Sequence, residues 1–202
     1  GVETHEALTG FKTIWGVANA LEKAGDKKFI FGYEESIGYV TGDFVKDKDG
    51  VISSMMLCEA AAYYKKQGKN LIEVLEETYK EFGYYREKQI SLVLEGVEGS
   101  KRIGRMMEAY RAEYPTEVEG IKLSKYTDLK KGIVTDVASG ETTPSVIPSS
   151  NVLLFTHEDG SWYAVRPSGT EPKIKLYIYS KGETSEAAEM KIASFEKVAL
   201  GK

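Results

Sequence analysis

One short polar segment of this 202-residue chain has the residue types that bind an anion. The segment lies between two apolar stretches and contains Arg166, Ser168, Gly169 and Thr170, with Lys175 on the stretch that follows. A planar guanidinium, two hydroxyls and the backbone N–H groups of a glycine-containing turn are groups that can hold a phosphate. We interpret the segment as a phosphate-binding loop, although a polar hairpin loop with solvated charges fits the same residue types.

The apolar stretches on either side of this loop have the period of β-strands. Residues 162–165 precede the loop, and after it Ile174, Leu176 and Ile178 alternate with polar or aromatic residues. A period of two places these three aliphatic side chains on one face of a sheet and Lys175 on the other. The pattern therefore predicts two strands joined by the loop, with Lys175 pointing away from the aliphatic face.

A second polar cluster follows the apolar run at residues 29–31. It includes Glu34, Glu35 and Ser36, which stand between Tyr33 and Ile37. Ends of strands are common positions for binding loops. The adjacent carboxylates fit an ordinary exposed turn, a pair of metal ligands or an acid/base pair. The residue types alone leave these three interpretations open.

Taken together, these segments resemble the α-D-phosphohexomutases, the phosphoglucomutase and phosphomannomutase family. The family's phosphate loop has the pattern Arg-x-Ser-Gly-Thr-Glu-Pro followed by a basic residue on the next strand, and residues 166–172 with Lys175 match it. In the family's Gly-Glu-x-Ser-Gly loop, the glutamate and serine bind two neighbouring hexose hydroxyls. The resemblance assigns that role to Glu34 and Ser36, whose side chains suit it because a carboxylate accepts and a hydroxyl both donates and accepts.

A shorter match lies near the start of the chain. Residues 9–12 resemble the Thr-Gly-Phe-Lys loop of the same sugar-binding domain. The resemblance implies that Lys12 contacts the phosphosugar, while a solvated lysine at the start of a helix is the alternative. The Asp49-Gly50 pair also resembles a family segment, and we assign it a turn and no chemistry.

The resemblance implies a reaction and its cofactors. A phosphoglucomutase interconverts glucose 1-phosphate and glucose 6-phosphate through a phosphoserine and a bisphosphate intermediate. The resemblance therefore implies that the full-length enzyme to which this chain belongs, here called the parent enzyme, is an isomerase that uses Mg²⁺ and glucose 1,6-bisphosphate. The residues around Glu34 and Ser36 are most similar to the bacterial α-phosphoglucomutase and phosphopentomutase branch. A phosphomannomutase, a phosphopentomutase or a non-catalytic module that binds sugar phosphates are the alternatives.

Two chemical elements of the family have no counterpart in the sequence. There is no Ser-His pair for the phosphoserine loop, and the Asp-x-Asp at residues 47–49 lacks the third acid and the arginine of the metal loop. We therefore expect a C-terminal fragment, inactive alone, with no catalytic and no metal-binding residue. Its expected partners are a hexose phosphate and the missing N-terminal domains, and a first residue that is Gly1 rather than Met fits this expectation.

Composition narrows the functional classes. The net charge of −4 argues against nucleic acid as a partner. The single cysteine, Cys58, rules out an internal disulfide and is compatible with a reducing cytoplasm, where we expect the protein to be located. Because its neighbours are apolar and their pattern is helical, we predict that Cys58 is a small core residue. The sequence has no run of about 18 apolar residues and no leader pattern, so we expect neither a membrane partner nor secretion.

The order of patterns predicts two domains. Residues 1–86 are interpreted as part of an α/β sugar-binding domain, the family's domain three, and residues 87–202 as an α+β domain with an antiparallel sheet, its phosphate-binding domain four. Helices are predicted over residues 14–21 with a Gly25 cap, 53–67, 71–82 with a core-facing stripe, from a Ser100 cap to residue 114, and 185–200.

Overall fold

The computed structural model describes residues 2–25, 27–34 and 37–201. The chain divides into two compact units, Gly1–Glu77 and Thr78–Lys202. The predicted domain boundary after residue 86 lies within a strand of the second unit and stays a prediction. Comparing the stabilities of residues 78–202 and 87–202, expressed separately, would test it.

Unit 1 packs a helix against a short antiparallel hairpin. Helix α1 (Phe11–Lys23) is followed by strands β1 (Phe31–Glu34) and β2 (Gly38–Thr41), which pair so that Glu34 lies opposite Gly38. The core of this unit consists of Phe11, Trp15, Ala18 and Val40. The predicted helix is confirmed, and its glycine stop follows from the left-handed φ of +98° at Gly25. Strand β1 lies later than predicted, so Glu34 belongs to the strand itself.

Helix α2 (Gly50–Lys65) starts with a side-chain cap. The Oδ1 of Asp49 accepts hydrogen bonds from the backbone N–H groups of Val51 and Ile52, at 2.9 and 3.2 Å. These bonds satisfy two of the N–H groups that a helix start leaves free. The helix therefore begins three residues before the predicted start, and the Asp-Gly pair has a structural role.

Helices α2 and α3 (Leu71–Phe82) both expose large apolar side chains. All residues of both helices are described, and none of them is buried. The prediction that Cys58 is a core residue is wrong, because this thiol is exposed. The prediction that the α3 stripe faces a core is also wrong, since Leu75 is 50% and Phe82 54% exposed. In both helices the apolar pattern is present, but the described residues that form it are at most half-buried.

Unit 2 is built around an antiparallel sheet with helices packed against one face. Its remaining elements are, in chain order, β3 (Tyr84–Val93), α4 (Gly96–Ala112), β4 (Glu117–Val118), β5 (Ile121–Asp128), β6 (Ile133–Asp136), β7 (Thr142–Pro144), β8 (Leu153–His157), β9 (Trp162–Pro167), β10 (Lys173–Gly182) and α5 (Ser185–Ala199). Among the described residues the strand order is β3-β10-β9-β8-β5-β6-β7, and β4 pairs with β5. Every pairing is antiparallel, which confirms the predicted α+β architecture.

The core of unit 2 lies between the sheet and the two helices. Ile174, Leu176 and Ile178 of β10 are at most 1% exposed and belong to one cluster with Met107 of α4 and Phe195 of α5. The predicted alternation along β10 is therefore confirmed. Each such side chain stabilises the fold by about 1.5–3 kcal/mol through removal from water, so the strand that follows the polar loop is firmly anchored.

Helices α4 and α5 differ in how well the sequence predicted where they begin. In α5, Thr184 caps the start, and the predicted stripe of Ala188, Ile192, Phe195 and Ala199 is buried. The predicted Ser100 cap is wrong, because α4 already begins at Gly96. Glycines are poor helix formers, so the early turns of α4 have weak local signals.

Packing explains the glycine at position 99 of α4. A Cβ on Gly99 would lie 1.7 Å from the carbonyl oxygen of Leu94, a contact that no side chain could tolerate. A glycine is therefore required where the start of α4 approaches the end of β3.

Among the described residues, every helix is too short or too polar to cross a bilayer.

Candidate functional site

The polar loop of unit 2 is a tight turn between β9 and β10. The backbone N–H of Ser168 donates to the carbonyl of Lys173 at 2.8 Å, and the N–H of Lys173 donates to the carbonyl of Glu171 at 2.7 Å. The hydroxyl of Ser168 accepts long hydrogen bonds from the N–H groups of Thr170, at 3.4 Å, and Glu171, at 3.3 Å. These contacts fix the loop ends and leave Gly169 and Thr170 exposed at its tip.

Two basic residues that the sequence predicted to bind phosphate lie at the base of this loop. Arg166 on β9 and Lys175 on β10 lie directly opposite each other in the antiparallel ladder. Directly opposed residues project from the same face of a sheet, so the two cations are neighbours. The structure thus places together two residues that the sequence separates by nine positions.

The charges around the loop are unbalanced. Glu171 forms an ion pair with Lys173, and the hydrogen bond from that lysine lowers the pKa of the Glu171 carboxyl. Arg166 and Lys175 form no ion pair with any described residue. Lys173, which sequence reasoning missed as a site residue, lines a pocket of about 180 Å³ together with Arg166, Pro167, Ser168, Glu171 and Lys175. Three cations against one carboxylate make this pocket electropositive.

The loop glycine has open space beside it. A Cβ on Gly169 would meet no described atom within 4 Å, and its φ lies outside the left-handed region. The fold by itself therefore does not require glycine at this position. On its other side the loop borders a second pocket of about 470 Å³, to which α4 contributes Gly96, Val97 and Ser100. The glycine keeps the backbone accessible, which suits close approach of a ligand to its N–H.

An aromatic ring supports one of the cations. The Nζ of Lys175 lies 6.0 Å from the ring centroid of Tyr177, two residues along the same strand. This distance is at the outer limit of a cation–π contact. The ring therefore lies near the lysine side chain without neutralising its charge.

In unit 1, Glu34 is the predicted residue whose surroundings are most specific. Its side chain is only 8% exposed, and the Nζ of Lys48 lies 3.9 Å from its Oε1. The same Nζ lies 5.7 Å from the ring centroid of Phe11. Sequence reasoning missed Lys48, because the Asp-rich turn that contains it suggested no chemistry. Ser36 lies outside the described residues.

Lys12 has a different environment from Glu34. It is exposed at the second position of α1, whereas its neighbour Phe11 is buried. No hydrogen bond or ion pair joins Lys12 to another described residue. Its side chain is therefore available to a ligand, and its role stays a prediction.

The donor atoms do not form a metal site in the described part of the chain. No three His, Cys, Asp or Glu residues there are grouped closely enough to hold a metal ion. The residue that faces Glu34 is a cation rather than a further oxygen donor. The described residues therefore do not fit Mg²⁺.

Comparison with known proteins identifies both units. Residues 1–82 match the family described as "Phosphoglucomutase/phosphomannomutase, alpha/beta/alpha domain III", and residues 108–196 match "Phosphoglucomutase/phosphomannomutase, C-terminal domain". These matches cover the predicted sugar loop and the predicted phosphate loop, respectively.

Curated relatives agree with the domain matches. A phosphoglucomutase of Staphylococcus epidermidis is 38% identical over 177 residues, which is 88% of this chain and 32% of the relative. A phosphoglucomutase of Staphylococcus aureus is 36% identical over 192 residues, which is 95% of this chain and 34% of the relative. The chain thus spans about a third of the length of the curated relatives it matches.

A solved structure has a similar fold. The open form of the Paramecium exocytosis-sensitive phosphoprotein pp63/parafusin, a phosphoglucomutase, matches with a TM-score of 0.64 at 17% identity. The match covers 93% of this chain and 32% of the solved chain. At this identity the likeness concerns the fold alone.

Proposed function

The chain belongs to the phosphoglucomutase/phosphomannomutase family, and from this premise we propose that it supplies the sugar-binding and phosphate-binding residues of a phosphoglucomutase. Such an enzyme is an isomerase that interconverts glucose 1-phosphate and glucose 6-phosphate. The observation that carries the proposal is the pair of opposed cations, Arg166 and Lys175, beside a loop of hydroxyls and accessible backbone.

The phosphate-binding role follows from charge and geometry. A sugar phosphate carries up to two negative charges, which Arg166 and Lys175 are free to balance because the nearby carboxylate already pairs with Lys173. The Arg166 guanidinium can donate two parallel hydrogen bonds to phosphate oxygens. The hydroxyls of Ser168 and Thr170 and the backbone at Gly169 add further donors. The phosphate that is not reacting would bind here, and its binding energy would help to position the reacting end.

The sugar-binding role is assigned to unit 1. We propose that Glu34 accepts hydrogen bonds from hexose hydroxyls, that Ser36 shares this task and that Lys12 contacts the phosphosugar. The near-burial of the Glu34 side chain supports its part of this proposal, because a carboxylate held in one place loses less freedom when it binds. Glucose is the proposed sugar, and mannose or a pentose are the alternatives.

The chemistry of phosphoryl transfer is assigned to the remainder of the parent enzyme. A phosphoserine there would donate to the sugar monophosphate, and glucose 1,6-bisphosphate would be the intermediate. Mg²⁺, which neutralises charge that develops during phosphoryl transfer, is likewise proposed for the remainder, because the described residues offer it no donor set. We propose a cytoplasmic location for the parent. A non-catalytic module that binds sugar phosphates is the alternative for the isolated chain.

The proposed polypeptide partner is the N-terminal part of the same enzyme. Helix α2 exposes a group of large apolar side chains, namely Val51, Met55, Met56, Leu57 and Tyr63. A high density of exposed large apolar side chains on one helix is typical of an element that is covered by other polypeptide. The relatives are about three times as long as this chain, so they contain polypeptide that could cover it. We assign the α2 surface to that polypeptide.

Phosphate binding tests the central assignment. Glucose 6-phosphate titrated into the chain should shift the backbone amide NMR signals of residues 168–173. Arg166→Ala should weaken this binding by about 1.5–3 kcal/mol, as expected for hydrogen bonds to a charged group. Arg166→Lys should recover only part of the loss, since it restores charge without the planar fork. Equal affinities of the original chain and Arg166→Ala would show that the loop is not the phosphate site.

An assay of mutase turnover distinguishes a catalytic parent enzyme from a module that only binds sugar phosphates. The isolated chain, incubated with glucose 1-phosphate, Mg²⁺ and catalytic glucose 1,6-bisphosphate, should form no glucose 6-phosphate. The parent enzyme should form it, and the Arg166→Ala parent should form it more slowly. Turnover by rigorously purified isolated chain would contradict the division of labour proposed above.

A further inference from the structure

Glu34 and Gly38 face each other where the hairpin of unit 1 ends. They are register partners, the last residue of β1 and the first of β2. Side chains of directly opposed residues share one face of an antiparallel pair. Gly38 has no side chain, and a Cβ built at this position would lie only 2.9 Å from Oε1 and 3.0 Å from Cγ of Glu34. The Glu34 side chain therefore occupies the space that a side chain of residue 38 would fill.

The opposite wall of this space is an aromatic ring. The same Cβ would lie 2.8 Å from Cε2 of Phe11, which is 4% exposed and packs with Trp15, Ala18 and Val40. Retreat of the Phe11 ring would open the core of unit 1. Glu34, in contrast, ends a strand and can rotate about its side-chain bonds. A side chain at position 38 would therefore displace the Glu34 carboxylate rather than the ring.

The requirement for glycine concerns side-chain space and not the backbone. The φ of Gly38 lies outside the left-handed region, so an alanine could adopt this backbone conformation. Ile37, directly before it, is the residue with a positive φ, at 58°. An effect of substitution at Gly38 can thus be separated from the effect of a strained turn.

We propose that Gly38 is a positioning residue for Glu34, and that it sets the strength with which unit 1 binds sugar hydroxyls. This inference rests on the proposed sugar-binding role of Glu34. The space left by Gly38 and bounded by Phe11 holds the Glu34 carboxylate in a single, nearly buried place, with Lys48 on its free side. A group held in its binding position by packing loses less entropy on binding.

The test measures sugar and phosphate binding separately in the 202-residue chain. Glucose 6-phosphate is titrated and followed by the backbone amide signals of residues 31–34 and 38–41. Gly38→Ala should weaken the affinity reported by these signals about tenfold, comparable to the loss of a hydrogen bond to a charged group. Phe11→Leu vacates space beside position 38. The double variant Gly38→Ala with Phe11→Leu should therefore bind glucose 6-phosphate almost as tightly as Phe11→Leu alone. Inorganic phosphate, followed at residues 168–173, should bind all variants equally.

Controls distinguish the possible failures. If Glu34→Gln left the affinity at the hairpin unchanged, the sugar-binding role itself would be wrong. If Glu34→Gln weakened binding and Gly38→Ala did not, the role would stand and the positioning inference would be overturned. The indole N–H signal of Trp15 reports whether the core of unit 1 is intact. If Gly38→Ala alone disturbs this signal, the affinities of the double variant and of Phe11→Leu are compared instead. A double variant that binds more weakly than Phe11→Leu would overturn the positioning role of Gly38, and equal affinities would support it.

Discussion

Arg166 and Lys175 are opposed cations in neighbouring strands of the unit 2 sheet, and neither forms an ion pair with a described residue. Like charges directly opposite each other destabilise an antiparallel pair. The aliphatic residues that flank Lys175 on β10 are fully buried and hold the strand in register despite this repulsion. A bound phosphate would relieve it, so the same pair that weakens the free sheet favours binding of an anion.

Lys175→Gln should therefore affect stability and binding in opposite directions. Removing the repulsion should stabilise unit 2 by roughly 0.2–1 kcal/mol, and losing one cation should weaken the binding of inorganic phosphate. Urea unfolding followed by the NMR signals of unit 2, together with phosphate titration, measures both effects. Lys181→Gln is the matched control, because Lys181 lies on the same strand away from the loop, and it should leave phosphate affinity unchanged. Loss of both stability and affinity in Lys175→Gln would contradict this account.

A buried ion pair should be essential for the stability of unit 2. Asp128 is 0% exposed, and its Oδ2 lies 3.0 Å from Nε of Arg111, whose side chain is 6% exposed. Arg111→Met would leave the carboxylate buried without its partner, which costs about 3–5 kcal/mol. Adding Asp128→Asn removes the stranded charge and keeps an acceptor for the N–H groups of Lys130 and Lys131.

A double-mutant cycle measured by urea unfolding checks this pair. Arg111→Met with Asp128→Asn should be more stable than Arg111→Met alone. Glu108→Gln is the control, because Glu108 contacts the same arginine from an exposed position and should change stability little. Additive losses from the two single substitutions would show that the pair is not coupled.

The free energy of unfolding should decrease as the pH is lowered, because of His157. This residue is 1% exposed, and neither ring nitrogen has a hydrogen-bond partner among the described residues. Burial lowers the pKa of His157 below its usual value of about 6.5. The unfolded chain therefore binds a proton more readily than the folded chain. Stability should be complete above the unfolded pKa and should be lost as pH falls from there toward the folded pKa.

Unfolding free energies of unit 2 between pH 5 and 8 test this expectation. The slope should reach at most about 1.4 kcal/mol per pH unit, the limit for one proton. His157→Gln should remove this slope, even if it lowers stability at every pH. His5→Gln should preserve it, because His5 lies in the other unit beside Glu3. An unchanged slope in His157→Gln would assign the pH dependence to other groups.

The apolar surface of α2 should make the isolated chain prone to association. Met55 and Leu57 are 58% and 61% exposed, so replacing both by Gln should reduce self-association in sedimentation experiments and reduce binding of a hydrophobic dye. Met190→Gln is the control, since Met190 is 67% exposed on a helix of unit 2 whose other face is buried. In the parent enzyme the α2 substitutions should instead lower stability. A more stable parent would contradict coverage of this surface by the N-terminal domains.

The sequence predicted those features whose information is local. Alternation along β10 placed Ile174 inside and Lys175 outside, because the side-chain period of a strand is fixed by its backbone. The stripe on α5 and the glycine stop after α1 followed for the same reason, since helix period and left-handed φ are properties of a few neighbouring residues. A phosphate loop could be predicted because all its proposed members except Lys175 lie within seven consecutive positions.

The tertiary structure decided whatever depends on residues distant in the sequence. A period shows which side of a helix is apolar, but not whether another element covers it, and so Cys58 was predicted to be buried although it is exposed. The start of α4 depends on the close approach of Gly99 to Leu94, which no local signal contains. Register placed Arg166 opposite Lys175 and Gly38 opposite Glu34. Residue types therefore indicated the chemistry, whereas strand pairing and packing determined which groups meet, because both depend on contacts that form only when distant segments fold together.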